Sequence, residues 1–225
     1  MTRALMFLAL IAVLTGCSST PAAPPPTLVA LISHTAPTDD VASTHFCGGV
    51  LVSPDLVATA AHCLNDRAPS SIDAIVGANN LCSTAAIGGT RTPVTAFVPL
   101  DTTADIALVR LATPSTVAPV ALATSTADPV AWGWGTGSPG GLSPCTARPV
   151  ALEITDECTG SPMGSRDDYL CAVPTGDVNT CTGDSGGPLL ADGALLAIVS
   201  SGLGCGPDDA GFYTRASLLE SALER

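Results

Sequence analysis

Cys181-Thr182-Gly183-Asp184-Ser185-Gly186-Gly187-Pro188 is the stretch on which the reading of this chain turns. It stands just before the apolar pair Leu189 and Leu190 and crowds glycine and proline around a single serine. That composition belongs where backbone N–H groups must turn inward while a hydroxyl stays accessible. A serine hydroxyl is a poor nucleophile at neutral pH, so it needs a neighbouring base and a third group that fixes the base in one tautomer.

The histidines of the chain are His34, His45 and His62, and all precede residue 185. This order excludes an α/β-hydrolase, which the loose Gly-x-Ser-x-Gly pattern would otherwise suggest, because those enzymes place the acid and then the histidine after the serine. Upstream, His62 lies in Thr59-Ala60-Ala61-His62-Cys63, and Asp105 lies in Thr103-Ala104-Asp105-Ile106-Ala107-Leu108. Taken singly, His62 reads as a structural histidine and Asp105 as a turn or strand-edge acid. Their order and flanking residues make them a set.

The composition bounds what surrounds that set. The chain has 225 residues, 46% of them hydrophobic and 12% charged, which excludes a disordered protein. Beyond the N-terminus it has no apolar run of about 20 residues, so it is not a polytopic membrane protein. Its 8 basic residues, all Arg, face 20 acidic ones for a net charge of −12, a balance that repels phosphate backbones and excludes nucleic acid as a partner. From Leu28 onward, short runs rich in Val, Ile and Leu are cut by turn residues: Leu28 to Ile32, Gly49 to Val52, Leu56 to Ala61, Ile72 to Val76, Ile106 to Leu111, Val117 to Leu122, Ala194 to Val199 and Gly211 to Thr214. These read as strands. Only Ala216 to Arg225 has helical spacing, and Pro114 to Pro129 is the most linker-like interior stretch.

The N-terminus carries export signals. Arg3 precedes the apolar segment Ala4 to Leu14, which Leu14-Thr15-Gly16-Cys17 closes, and the whole resembles the lipobox of bacterial lipoproteins. In that family cleavage leaves the cysteine first and acylated, so residues 1–16 are expected to be removed and Cys17 to anchor the protein in a lipid bilayer. An ordinary secretory signal cut further along is the alternative. Residues 17–27, with Pro21, Pro24, Pro25 and Pro26, read as an extended stalk. Setting Cys17 aside leaves eight cysteines, 47, 63, 82, 145, 158, 171, 181 and 205, and an even number in an exported protein points to four disulfides in any of 105 pairings. A zinc site from His45, Cys47, His62 and Cys63 is the rival, but no common zinc spacing fits it.

The segments around His62, Asp105 and Ser185 resemble those of the trypsin/chymotrypsin family of serine endopeptidases, in that family's own order. Smaller matches are His45-Phe46-Cys47-Gly48-Gly49, Gly133-Trp134-Gly135, Ile198-Val199-Ser200 and Gly211-Phe212-Tyr213-Thr214, and the likeness covers roughly Leu28 to Arg225. It implies an all-β fold of two six-stranded Greek-key barrels, about 28–115 and about 128–215, followed by a helix over 216–225. It implies a monomer that hydrolyses protein or peptide substrates with no metal and no cofactor. Ser185 would be the nucleophile, His62 the base, Asp105 its orienting acid, Ser200 a support for Asp105, and the N–H groups of Gly183 and Ser185 the oxyanion hole.

The resemblance also sorts the cysteines: Cys47 with Cys63, Cys158 with Cys171 and Cys181 with Cys205. What remains is Cys82 with Cys145, a fourth bridge that the family pattern does not itself supply. It places Asn179 at the floor of the specificity pocket and Gly202 and Gly211 on its walls. An amide in place of trypsin's Asp there disfavours Arg and Lys and favours aromatic or large neutral residues before the scissile bond. The chain departs from the family in having no Ile-Val-Gly-Gly-like start whose freed amino group would pair with Asp184, and His45 is the candidate partner instead. Either the enzyme folds active without cleavage or it stays zymogen-like. A catalytically silent binding module on the same fold, and an esterase using the same machinery, are the competing functions. Trp132 and Trp134 are expected to pack between the barrels.

Overall fold

The computed structural model describes residues 23–37, 41–83, 88–137, 141, 143–158 and 164–224. The expected signal segment, Cys17 and most of the stalk lie outside the described residues. No helix among them is long and apolar enough to cross a membrane.

Twelve strands follow one another as β1 (Leu28–Ser33), β2 (His45–Ser53), β3 (Leu56–Thr59), β4 (Ile72–Val76), β5 (Thr90–Val98), β6 (Ala107–Leu111), β7 (Val130–Gly133), β8 (Arg148–Ile154), β9 (Tyr169–Pro174), β10 (Pro188–Ala191), β11 (Ala194–Gly202) and β12 (Gly211–Arg215). They close into two antiparallel barrels, β1-β2-β3-β6-β5-β4 and β10-β11-β12-β9-β8-β7. Closure leaves no unpaired edge, which suits short strands that could not stand alone. The expected all-β fold of two six-stranded barrels is what the chain adopts.

The wholly buried runs in β1, β3 and β4 are the ones the sequence displays as continuous apolar stretches. β5 and β8 alternate buried and exposed positions, so their apolar content is diluted by outward Thr, Arg, Pro and Glu. The run Val117 to Leu122 forms no strand. It crosses between the barrels, with Val120 N–H on Leu51 O and Ala123 N–H on Leu195 O, and contributes one bridge, Leu122 with Leu195. The helix expected over 216–225 is shorter: a 3-10 turn at Ala216–Leu219 leads into a single α-helical turn, α1 (Glu220–Leu223).

One cluster of buried side chains fills the first barrel and continues into the seam, where it takes in Trp132, Trp134, Tyr169 and Phe212. A smaller one, with Leu152, Leu189 and Tyr213, fills the second barrel. Both tryptophans are therefore packing residues. The seam is also crossed by the disulfide of Cys82 and Cys145, one from each half of the chain, with Cα atoms 5.1 Å apart.

Candidate active site

The cleft runs along this seam, and each of its polar residues arrives on a different element. His62 sits in a 3-10 turn, Ala61–Leu64, directly after β3. The disulfide of Cys63 with Cys47 on β2 pins that turn. His62 Nδ1 lies 2.8 Å from Asp105 Oδ2, and the His62 backbone N–H donates to Asp105 Oδ1 at 2.8 Å. One carboxylate thus fixes both the ring and the backbone of the histidine.

Asp105 comes from the loop leading into β6, where its side chain is only 4% exposed. Ser200, on β11, donates its hydroxyl to Asp105 Oδ2 at 2.6 Å. The backbone of Asp105 is held as well: its N–H donates to the Tyr169 hydroxyl at 2.9 Å, and Thr214 Oγ1 donates to its carbonyl at 2.9 Å. Tyr169 and Thr214 belong to the second barrel, so the acid of one barrel is seated by the other. Burial pushes the Asp105 carboxyl up, but the hydrogen bonds from the His62 ring, Ser200 and the His62 N–H outweigh it and hold the group below the usual carboxylate range.

Ser185 stands in the loop between β9 and β10. Its carbonyl accepts from Gly48 N–H at 2.7 Å, tying the loop to β2 across the seam. His62, Gly183 and Ser185 line one cleft together with Phe46 and the Cys47–Cys63 bridge. The sulfur of Cys63 lies 3.8 Å from His62 Nε2 and 3.8 Å from the Ser185 carbonyl oxygen. Among the described residues the Ser185 hydroxyl makes no hydrogen bond within 3.5 Å, to His62 or to any other group, a separation common in substrate-free sites that tightens when substrate binds. Gly183 takes φ = 100°, a left-handed-side conformation open to glycine. The N–H groups of Gly183 and Ser185 have no acceptor among the described residues, whereas those of Asp184, Gly186 and Gly187 are all used.

A second cleft of about 250 Å³ adjoins Ser185, walled by residues 180–182 and 199–205. Gly202 lines it. Gly211 does not; it pairs with Gly202 across β11 and β12, and a Cβ there would press on the Tyr213 ring. Asn179 is buried next to Thr180 of that wall. Its Nδ2 donates to the carbonyls of Gly206 at 2.9 Å and Asp209 at 2.8 Å, and its Oδ1 accepts from Thr180 N–H at 2.7 Å. Among the residues lining the cleft none carries a charge.

The other two cysteine pairs, 158 with 171 and 181 with 205, are also bonded. Donor atoms of Cys47, His62 and Cys63 lie within 4.8 Å of one another, but the two sulfurs are joined in a disulfide, which leaves a metal ion one imidazole nitrogen.

His45 is not the partner of Asp184. Its ring packs edge-on against Trp134, with centroids 5.6 Å apart. Burial lowers its pKa to about 4, so it is neutral at physiological pH. Asp184 instead accepts from Gly135 N–H at 2.7 Å and Cys181 N–H at 3.0 Å, and Arg148 Nη2 lies 3.6 Å from its Oδ2. Sequence reasoning passed over Arg148, Tyr169 and Thr214.

The trypsin family model matches residues 16–223. Trypsin iota of Drosophila melanogaster is 35% identical over 201 residues, which are 80% of this chain and 77% of that one.

The chain belongs to the trypsin family of serine endopeptidases.

The trypsin of Sarcophaga bullata, at 34% identity over 197 residues, covers 76% of this chain and 74% of its own length. Among solved structures, human heparin binding protein superposes with a TM-score of 0.71 at 23% identity, over 88% of this chain and 90% of that one, and this likeness speaks to the fold alone. For a trypsin-family chain, the four bridges include one that spans the barrels where the sequence pattern offered no precedent.

Proposed function

We propose that this serine endopeptidase cleaves peptide bonds through Ser185, His62 and Asp105. Ser185 Oγ attacks the scissile carbonyl while His62 Nε2 takes its proton. The C–N bond then breaks, the proton passes from His62 to the departing amine, and the acyl group stays on Ser185 until water, activated by the same imidazole, releases it. The observation that carries this reading is the 2.8 Å contact of His62 Nδ1 with Asp105 Oδ2, which leaves Nε2 turned to the cleft that Ser185 shares. Ser200 supports the acid. The free N–H groups of Gly183 and Ser185 serve the oxyanion, where one such donor is worth about 2.7 to 4 kcal/mol of barrier.

The uncharged cleft beside Ser185 supports large neutral or aromatic residues before the scissile bond. Asn179 shapes this pocket through its hydrogen-bonded amide and brings no charge to it. Gly202 keeps the entrance open, and Gly211 contributes through its pairing with Gly202. Export, acylation of Cys17, attachment of the mature chain to a bilayer and a monomeric state complete the proposal, supported by the lipobox-like Leu14 to Cys17 and the four disulfides.

Ser185→Ala tests the core of the reading. The variant is expected to lose peptide hydrolysis and labelling by a fluorophosphonate, with activity falling on the order of 10⁶-fold. Undiminished hydrolysis by it would remove Ser185 from the reaction, and a wild-type chain inert to the probe would favour the binding-module alternative.

A further inference from the structure

Asp184 lies between the two residues whose N–H groups serve the oxyanion, and its side chain is 3% exposed. A carboxylate buried this deeply is unfavourable unless a counter-charge and hydrogen bonds compensate it. Two backbone N–H groups supply the hydrogen bonds. The cation is Arg148, the first residue of β8, whose own side chain is 20% exposed. Its Nη2 donates to the carbonyls of Thr136 at 3.1 Å, Asn179 at 3.1 Å and Gly135 at 3.2 Å, and Nε also reaches Gly135 O at 3.3 Å. One guanidinium therefore ties three things together: the Gly135–Thr136 segment, the start of the loop that leads to Ser185, and the carboxylate within that loop. The other titratable group sensed beside Asp184 is the Tyr213 hydroxyl. Burial raises it against the opposing effect of its bond to Thr180, and the neighbouring Asp184 charge raises it further, so it stays neutral and supplies no charge.

We propose that Arg148 is the internal counter-charge of Asp184, and that this side chain, rather than a freed chain terminus, holds the Gly183 to Ser185 loop in its substrate-ready form. The inference rests on the catalytic reading above. Arg148 is a positioning residue: it touches neither substrate nor the reacting atoms and acts through Asp184. A counter-charge built into a strand makes competence a property of the folded barrel, with no dependence on proteolytic trimming.

The chain produced without lipidation offers a direct test because it contains no lysine, so among its amines an acylating reagent meets only the α-amino group. Acetylation of the full wild-type chain is expected to leave kcat/KM within about twofold; abolition of activity would assign the counter-charge to the terminus and overturn the proposal. Arg148→Met is expected to lower both kcat and the fluorophosphonate labelling rate by roughly 10²-fold or more, the size of losing an oxyanion donor, with a smaller change in KM. Wild-type rates in that variant would likewise overturn it.

Arg148→Lys carries the test even if the methionine variant does not fold. It should restore most activity at pH 8 but add a loss of activity as pH rises toward the lysine pKa, roughly 10.4 or lower when buried. Arg, always protonated, gives the wild type no such limb. Superimposable alkaline profiles would refute the pairing. A wild-type chain that never labels defeats the catalytic reading instead, and a double-mutant cycle of Arg148→Met with Asp184→Asn on unfolding then decides the pairing: coupling supports it, additivity rejects it.

Discussion

Asp105 and Asp184 are both buried carboxylates beside one serine, and the protein treats them in opposite ways. Asp105 receives three hydrogen bonds, from the His62 ring, the His62 N–H and Ser200, and these hold its pKa below the usual value in spite of burial. For Asp184 burial wins: the bonds from Cys181 N–H and Gly135 N–H and the charge of Arg148, 3.6 Å away, leave its pKa raised. Deeper burial of Asp184, and the extra hydrogen bond that Asp105 receives, set the difference. Asp105 is built to stay ionised and to orient a base. The surroundings of Asp184 disfavour its charged form, so its loop depends on the partners that offset burial.

The comparison is tested hardest by removing the Asp105 charge. Asp105→Asn should lower kcat roughly 10⁴-fold, the size known for the matching substitution in this family, with the fold retained by circular dichroism; a loss under tenfold would mean that the imidazole is oriented by other groups. Asp184→Asn should lower kcat/KM less, by about 10² to 10³-fold, because it disturbs an oxyanion donor and not the base.

Asp184→Asn should also change the pH dependence of stability. A carboxyl whose pKa is raised on folding binds protons more tightly in the native state, so in the wild type its contribution to stability falls as pH rises from about 3.9 through the folded value. Denaturant unfolding from pH 4 to 8 should show that the variant lacks this decline. An unchanged slope would erase the contrast between the two acids.

Ser200→Ala removes a hydrogen bond to an ionised acceptor and should lower stability at pH 7 by about 1.5 to 3 kcal/mol. Because the Asp105 pKa is depressed in the folded state, its stabilisation is present above the unfolded value near 3.9 and is lost as pH falls through the folded one. The gap between variant and wild type should therefore narrow in acid, as read from denaturation midpoints. The smallest effect is expected of Gly135→Ala. A Cβ there would run into the Asp184 carboxylate, and overpacking of this kind typically lowers stability by about 1 to 3 kcal/mol. A thermal midpoint equal to that of the wild type would show that Asp184 has room to move.

The contrast between the two acids also marks how far the sequence could be read. His62, Asp105 and Ser185 were legible because each sits in a run of small and apolar residues that chemistry restricts, and the order of the three decided between hydrolase folds. Continuous apolar runs gave away β1, β3 and β4. Arg148 was not legible: a single arginine at the start of a strand looks like a solvated edge, and its partner stands 36 positions further on, at residue 184, with no spacing to link them. Tyr169 and Thr214 were hidden for the same reason, since they meet the backbone of Asp105 only after both barrels close. The resemblance puts Asn179 in the specificity pocket, and its neighbours were not legible: the amide meets the carbonyls of Gly206 and Asp209, 27 and 30 positions further on.

Behind the nucleophile the two barrels meet backbone to backbone. Gly48 donates to the Ser185 carbonyl, and a Cβ on Gly48 would stand 2.9 Å from the backbone of Gly187. The gauge between the histidine-bearing half and the serine-bearing half is thus the thickness of two bare main chains. A methyl group inserted there would act as a wedge, widening the working gap before a single reacting side chain had been altered.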